Sequence, residues 1–189
     1  MEPRALINAL GVAEKLKNVT RHCDTSGGRR ESVAEHSWRA ALMAYFMKDE
    51  FPEADMDKVI RMCIIHDLGE AFTGDIPAFD KTKADEDRED AAFDAWVRTL
   101  PEYQKQEFTD LLTEMGQLQT PEARIYKALD KMEAVIQHDE ADISTWLPLE
   151  YDLQLRYGAE NVAFSPWFRE LKEEVDRWTR RKIIENGKE

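Results

Sequence analysis

Residues 59–70 read Val-Ile-Arg-Met-Cys-Ile-Ile-His-Asp-Leu-Gly-Glu. The first seven are apolar almost all round, as expected of a helix buried at the centre of a helical protein. The apolar run stops abruptly at His66 and Asp67. Two ionisable groups directly after a buried stretch must be paired or bound to something, because burying them alone is strongly unfavourable. If the helix continues, Glu70 stands i+4 from His66 and i+3 from Asp67, so all three can border one cavity.

On either side the same helical pattern recurs. Helices are predicted near 3–16, 32–49, 56–71, 84–99, 102–115, 121–141, 149–157 and 166–186, separated by glycines and prolines. No alternating strand pattern of useful length and no internal repeat is present, and residues 17–30 read as a polar loop. The expected fold is all-α, a single-domain helical bundle over 1–189. Ser32-Val33-Ala34-Glu35 has the spacing of a capping box, which places His36 in the opening turn of its helix. Most of the five tryptophans, Trp38, Trp96, Trp146, Trp167 and Trp178, are expected as core or interface anchors. Trp167, Phe168, Leu171, Val175 and Trp178 form an apolar stripe on the last helix, available to a partner or to the core.

The composition suits a folded protein: 189 residues, 42% apolar and 34% charged. No window approaches the ~18–20 apolar residues that a bilayer span needs. The N-terminal MEPRALINALGVAEKLKN reads as an amphipathic helix rather than a secretory signal, so a cytoplasmic protein without a membrane partner is expected. Cys23 and Cys63 give neither a disulfide framework nor a metal-binding CxxC, and Cys63 reads as a small buried hydrophobe. A net charge of −13 argues against a nucleic-acid polymer as partner, since such binders need a basic stripe. It leaves room for a small anionic ligand where a metal and a few local cations dominate.

Histidine occurs four times, at 22, 36, 66 and 138, and a His-Asp dipeptide occurs twice. His138-Asp139 lies in the polar patch HDEAD and reads as a solvated surface pair. His66-Asp67 closes a buried helix and leads into Thr73-Gly74-Asp75-Ile76-Pro77. Imidazole and carboxylate together favour borderline or hard divalent ions, Mn²⁺, Co²⁺, Fe²⁺ or Mg²⁺, over a thiolate site. Further ligands must come from other helices, and His36 is the only upstream histidine on a predicted one. Asp130 is less legible. On its helix it lies roughly 140–150° from the centre of the stripe Ile125, Ala128, Leu129, Met132, Val135 and Ile136, and periodicity alone calls it a surface carboxylate.

The order His36…His66-Asp67…Asp130 resembles the metal signature of the HD-domain superfamily of phosphohydrolases. ESVAEHSW (31–38), HDLGEAFTGDIP (66–77) and KALDKMEAV (127–135) look like the bacterial 5′-deoxynucleotidases within it. The similarity runs from about Leu16 to Trp146, implying a metal-binding core over about 16–146 and a C-terminal helical extension over 147–189. It implies that His36, His66, Asp67 and Asp130 ligate one divalent metal. The catalytic residues would be Glu70, which orients or deprotonates the attacking water, and Asp67. Arg21 would hold the phosphate, with Arg29 or Arg30 as alternatives, and Asp75 would help select deoxyribose. His22 stands where the deoxynucleotidase pattern has tryptophan, a departure that touches the sugar and base contacts. Read from the residues alone, Glu70 could instead pair with a nearby Arg or Lys, and Asp75 could cap the Gly74 turn. Lys81 and Lys83 could touch an anionic ligand, while Asp80 to Asp94 reads as a solvated helix face.

The implied activity is hydrolysis of a small nucleotide's phosphomonoester, 5′-deoxyribonucleoside monophosphates first. The alternatives are another phosphomonoester, a nucleoside polyphosphate, or a nucleotide- or metal-binding protein without turnover. A homodimer is compatible with the same resemblance.

Overall fold

The structure is a computed structural model that describes residues 1–187. The chain opens with α1 (Pro3–Leu16), followed by the antiparallel strands β1 (Thr20–Asp24) and β2 (Arg30–Ser32). Then come α2 (Val33–Phe46), α3 (Met56–Ile65), α4 (Glu70–Thr73), α5 (Lys83–Val97), α6 (Glu102–Gln117) and α7 (Pro121–Glu140). The chain closes with α8 (Glu150–Arg156), α9 (Ala159–Val162) and α10 (Pro166–Glu185). Short 3₁₀ turns occupy Lys48–Glu50 and Ile143–Thr145.

Helix α7 is the axis of the molecule, packed by α2, α3, α6, α9, α10 and β1. Its expected stripe is buried except for the partly buried Ile136, and so is the opposite face at Ala123, Tyr126, Asp130, Glu133 and Ala134. This corrects the reading of Asp130 from periodicity. A helix enclosed on all sides has no solvent face, so the angular position of a polar residue does not report exposure. Ala40, Ala41 and Ala44 of α2 are buried small residues that let neighbouring helices approach closely. Cys63 is fully buried in the same core.

The stripe of α10 belongs to the core. Phe168 and Val175 are buried, and Phe51, Trp167, Phe168 and Phe164 form an aromatic cluster. Trp146 is buried, but Trp38 is 63% exposed and is no core anchor. Helix α5 is largely solvated, with Phe93 and Val97 as its buried residues.

Three local expectations are corrected. The loop expected over 17–30 contains a hairpin, paired Thr20↔Ser32 and Asp24↔Arg30 around a turn with Gly28 at φ 77°. Its strands are too short to show alternation, and β1 is held by tertiary contacts such as the 2.8 Å bond from Gln137 Nε2 to the Asp24 carbonyl. The helix expected over 56–71 ends at Ile65. Tight bonds from Leu68 N to Ile65 O and Glu70 N to Asp67 O carry the chain into α4. A Cβ on Gly69 would stand 3.0 Å from Glu89 Cγ, so glycine permits close packing by α5. His138-Asp139 is not a solvated pair. Asp139 is buried against Thr179 (2.8 Å), and His138 Nε2 lies 3.0 Å from the buried Glu150 carboxylate.

Candidate active site

The β2–α2 junction positions the first histidine. Ser32 Oγ accepts from Glu35 N (3.2 Å) and the Glu35 carboxylate accepts from Ser32 N (2.9 Å), closing the expected capping box. His36 follows in the first turn, fully buried. His66 caps the end of α3, Asp67 lies in the turn before α4, and Asp130 projects from the middle of α7.

These four side chains converge. His36 Nε2 lies 3.2 Å from His66 Nε2 and 3.4 Å from Asp130 Oδ1. His66 Nε2 lies 3.0 Å from Asp67 Oδ2 and 3.8 Å from Asp130 Oδ1, and His36 Nε2 is 3.7 Å from Asp67 Oδ2. Adjacent ligands around an octahedral cation bound at ~2.1 Å are roughly 3 Å apart, so the spacing suits such an ion.

The tautomers make the same point. His36 Nδ1 is bound to Glu133, and His66 Nδ1 donates to the Cys63 carbonyl at 2.9 Å. With both Nδ1 positions protonated, two Nε2 lone pairs face each other and two carboxylates, which only a proton or a cation can reconcile. Burial disfavours a charged His66, yet Asp67 and Asp130 outweigh it and carry its pKa up to about 10. Burial likewise opposes ionisation of Asp130, but Lys127, Lys131 and the histidines hold it well below the usual carboxylate range. The donor set therefore fits a hard or borderline divalent ion.

Behind the four lies a polar support. Glu133 is fully buried between His36 Nδ1 and Arg39, whose Nε is 2.8 Å away. Glu31 is buried beside Arg21 Nε at 3.3 Å and accepts from the Cys23 thiol at 3.2 Å. Arg39 extends the network to Gln137 Oε1 at 3.0 Å and Glu140.

The cluster opens onto a cleft of about 180 Å³. Arg21 lines it, with Nη1 3.5 Å from Asp67 Oδ2 and a buried Nε that makes no aligned hydrogen bond. Arg29 is tied to Glu35 and Arg30 to Asp24 and the His22 carbonyl, and neither borders the cleft. His22 lines it edge-on to Phe79, with centroids 5.3 Å apart at 87°. Asp75 and Lys81 also line it, although Lys81 is paired with Glu89 at 2.6 Å. Lys83 is exposed and bound to Asp87 at 2.9 Å, away from the cleft.

Glu70 is buried in the cleft wall and forms no ion pair among the described residues, and its Oε2 has no hydrogen-bond partner. Burial, with the charges of Asp67 and Asp75, pushes its pKa up to about 10. Sequence reasoning missed Lys127 and Lys131, whose Nζ atoms lie 2.9 and 3.2 Å from Asp130 Oδ2, and the supporting Glu133. Their positions at i−3, i+1 and i+3 from Asp130 carried a signal only once Asp130 was known to face a site. It also missed the cleft wall built by Glu150, Leu153, Gln154 and Tyr157.

The family model described as HD domain matches residues 13–172. The chain belongs to the HD-domain family. Its match runs well past Trp146, where the resemblance read from motifs stopped. The human 5′-deoxynucleotidase HDDC2 is 32% identical over 141 residues, covering 72% of this chain and 68% of that protein. A yeast relative from Saccharomyces cerevisiae, 5′-deoxynucleotidase YBR242W, is 24% identical over 198 residues, covering 98% of this chain and 77% of that one. Among solved structures, a predicted metal-dependent phosphohydrolase from Magnetospirillum magnetotacticum superposes with a TM-score of 0.74 at 29% identity, covering 93% of this chain and 95% of that one. An HD-domain phosphohydrolase from Listeria innocua shares the fold alone, with a TM-score of 0.65 at 20% identity over 96% and 88% of the two chains. The all-α architecture of this HD-domain protein is that of these phosphohydrolases. No helix among its described residues is long and apolar enough to cross a membrane.

Proposed function

We propose that this HD-domain protein is a metal-dependent phosphohydrolase that cleaves 5′-deoxyribonucleoside monophosphates to deoxynucleoside and inorganic phosphate. The observation that supports it most is the pair of opposed Nε2 atoms flanked by Asp67 and Asp130 at the edge of a cation-lined cleft. In this reading His36, His66, Asp67 and Asp130 hold one divalent ion: Mn, Co, Mg or Fe. The ion supplies charge to neutralise the phosphoryl oxygens and acidifies water at neutral pH.

The chain's own groups do the rest. Arg21, its Nε turned to the buried Glu31, offers its guanidinium to the phosphate from the cleft wall, and Lys127 adds charge on the same cleft. The unpartnered Glu70 carboxylate takes the proton of the attacking water, and Asp67 fixes the geometry beside it. Burial, with the charges of Asp67 and Asp75, favours a proton on Glu70, and an ion held by His36, His66, Asp67 and Asp130 would supply the positive charge that lets the carboxylate act as a base. The water oxygen bonds to phosphorus, the bond to the sugar oxygen breaks, and the leaving alkoxide takes a proton from solvent to become the 5′-hydroxyl, while Glu70 returns its own to solvent. Asp75 and His22 line the wall reached by the sugar.

Lys81 and Lys131 line the cleft in addition to Arg21 and Lys127, which favours a second reading: a substrate carrying more than one phosphate. A cytoplasmic location and a homodimer complete the proposal. The exposed Trp38, Tyr45 and Phe46 on α2 support a partner surface, and light scattering tests it. Phosphate release from deoxy- and ribonucleoside mono- and diphosphates, each with Mn²⁺, Co²⁺ or Mg²⁺, tests the activity. Deoxynucleoside monophosphates should be fastest. A faster diphosphate would favour the second reading, and background release throughout would leave only a binding protein.

A further inference from the structure

Helix α8 lies outside the region that supplies the four candidate ligands, yet it builds one wall of the cleft through Glu150, Leu153, Gln154 and Tyr157. Both ends of that wall are fixed. At its start Glu150 is 1% exposed, accepts from Leu147 N at 2.6 Å, lies 3.0 Å from His138 Nε2 and 3.4 Å from His22 Nε2. At its end Lys131 Nζ donates to Tyr157 Oη at 2.9 Å. Gly158 follows at φ 74°, where a Cβ would stand 2.7 Å from Met132 Cε and 2.8 Å from Lys131 Cβ. Only glycine lets the helix end press against α7 in this way.

Between the two anchors sits Gln154, one turn after Glu150 and on the same face. Gln154 is 4% exposed. Lys172 donates to its backbone carbonyl at 3.4 Å, but its carboxamide has no hydrogen-bond partner among the described residues and borders the cleft. A group held this way on a fixed wall is suited to a ligand that brings the partners.

We propose that Gln154 reads the edge of the substrate's nucleobase and sets base preference. The proposal rests on the nucleotide reading of this cleft. A contiguous path connects the two ends: Asp67 meets Arg21, His22 follows Arg21 in β1, His22 meets Glu150, and Gln154 lies one turn beyond. With the phosphate at Arg21, the far end of a nucleoside monophosphate lies along α8. A carboxamide presents an acceptor and donors side by side. Nucleobase edges carry adjacent donors and acceptors in patterns that differ from base to base. Phe79, which also lines the cleft and is partly exposed, offers a ring for stacking.

The test compares the native protein with Gln154→Leu and Gln154→Glu, the second keeping size while replacing the donor by a charged acceptor. Substrates are the four 5′-deoxynucleoside monophosphates and 2-deoxyribose 5-phosphate, which has no base. Equilibrium binding of the same compounds is measured in parallel, and thermal melts verify folding. Expected are a native preference among bases, a loss of roughly 5–150-fold in kcat/KM for the preferred base in Gln154→Leu, and a changed order in Gln154→Glu. Rates with the base-free sugar phosphate should stay within about twofold. A flat native profile, or an unchanged ranking in both variants, overturns the role of Gln154 and leaves the phosphatase reading intact. Background phosphate release with base-ranked binding that the variants abolish sinks the phosphatase reading and sustains the role of Gln154. If the protein neither binds nor cleaves any of these nucleotides, both are overturned.

Discussion

Two imidazoles whose Nε2 atoms face each other at 3.2 Å are stable only with positive charge between or beside them. That requirement falls on the groups behind them. Glu133 holds the His36 Nδ1–H, fixes the tautomer and adds negative charge to the ring. Glu133→Gln keeps a carbonyl acceptor but removes the charge, and should weaken divalent-metal affinity by about 10–100-fold, read by competition with a chromogenic chelator. Unchanged affinity would remove Glu133 from the support of the site. Glu70 is different because it forms no ion pair among the described residues and its Oε2 has no hydrogen-bond partner there. Glu70→Ala should leave metal binding largely intact and cut turnover by ~10²–10⁴-fold, whereas His66→Ala should lose both. Equal loss of metal by the two variants would make Glu70 a ligand rather than a base.

At the scale of elements, helix identity was readable and helix surroundings were not. Ser32 and Glu35 announced the start of α2, and both side-chain caps form. The hairpin of β1 and β2 left no trace, because pairing six to twelve residues apart and docking on α7 decide it. The junction of α7 and α10 was also invisible. There Asp139 accepts from Thr179 Oγ1 at 2.8 Å, and burial pushes its pKa up to about 6 from 3.8, partly offset by Thr179, Lys182 and His138. A carboxyl that holds its proton more tightly when folded favours the folded state most below about pH 4. Stability is then lost as pH rises through about 6, with no further change above. Asp139→Asn keeps an acceptor for Thr179 without the charge. It should stabilise the protein by about 1–2 kcal/mol at pH 8, after allowance for screening, and scarcely at pH 4. Melts showing no pH-dependent difference between the two proteins would rule out a buried charge at this junction.

For the whole molecule, the proposed ion would join α2, the turn after α3, and α7, elements distant in sequence. Binding to the folded chain alone should stabilise it by about 2.7 kcal/mol at a hundredfold excess over Kd. That corresponds to a rise in Tm of roughly 5–11 °C, reversed by a chelator and absent in His36→Ala. A metal-induced rise that persists in His36→Ala would place the ion elsewhere.

The run 59–70 and the motifs around His36 and Asp130 were enough to specify a helical fold, its family resemblance and the identities of the converging residues. The helical fold and the pair His66-Asp67 are properties of local pattern (apolar period, caps, and an ionisable pair closing a buried helix), whereas Asp130 came from the resemblance. Tertiary structure alone decided that Asp130 is enclosed, that Arg21 rather than Arg29 or Arg30 meets the cleft, and that His138, Glu150 and Gln154 stand beside it. The physical reason is that burial depends on what covers a face, and a sequence period records only which side of a helix a residue occupies.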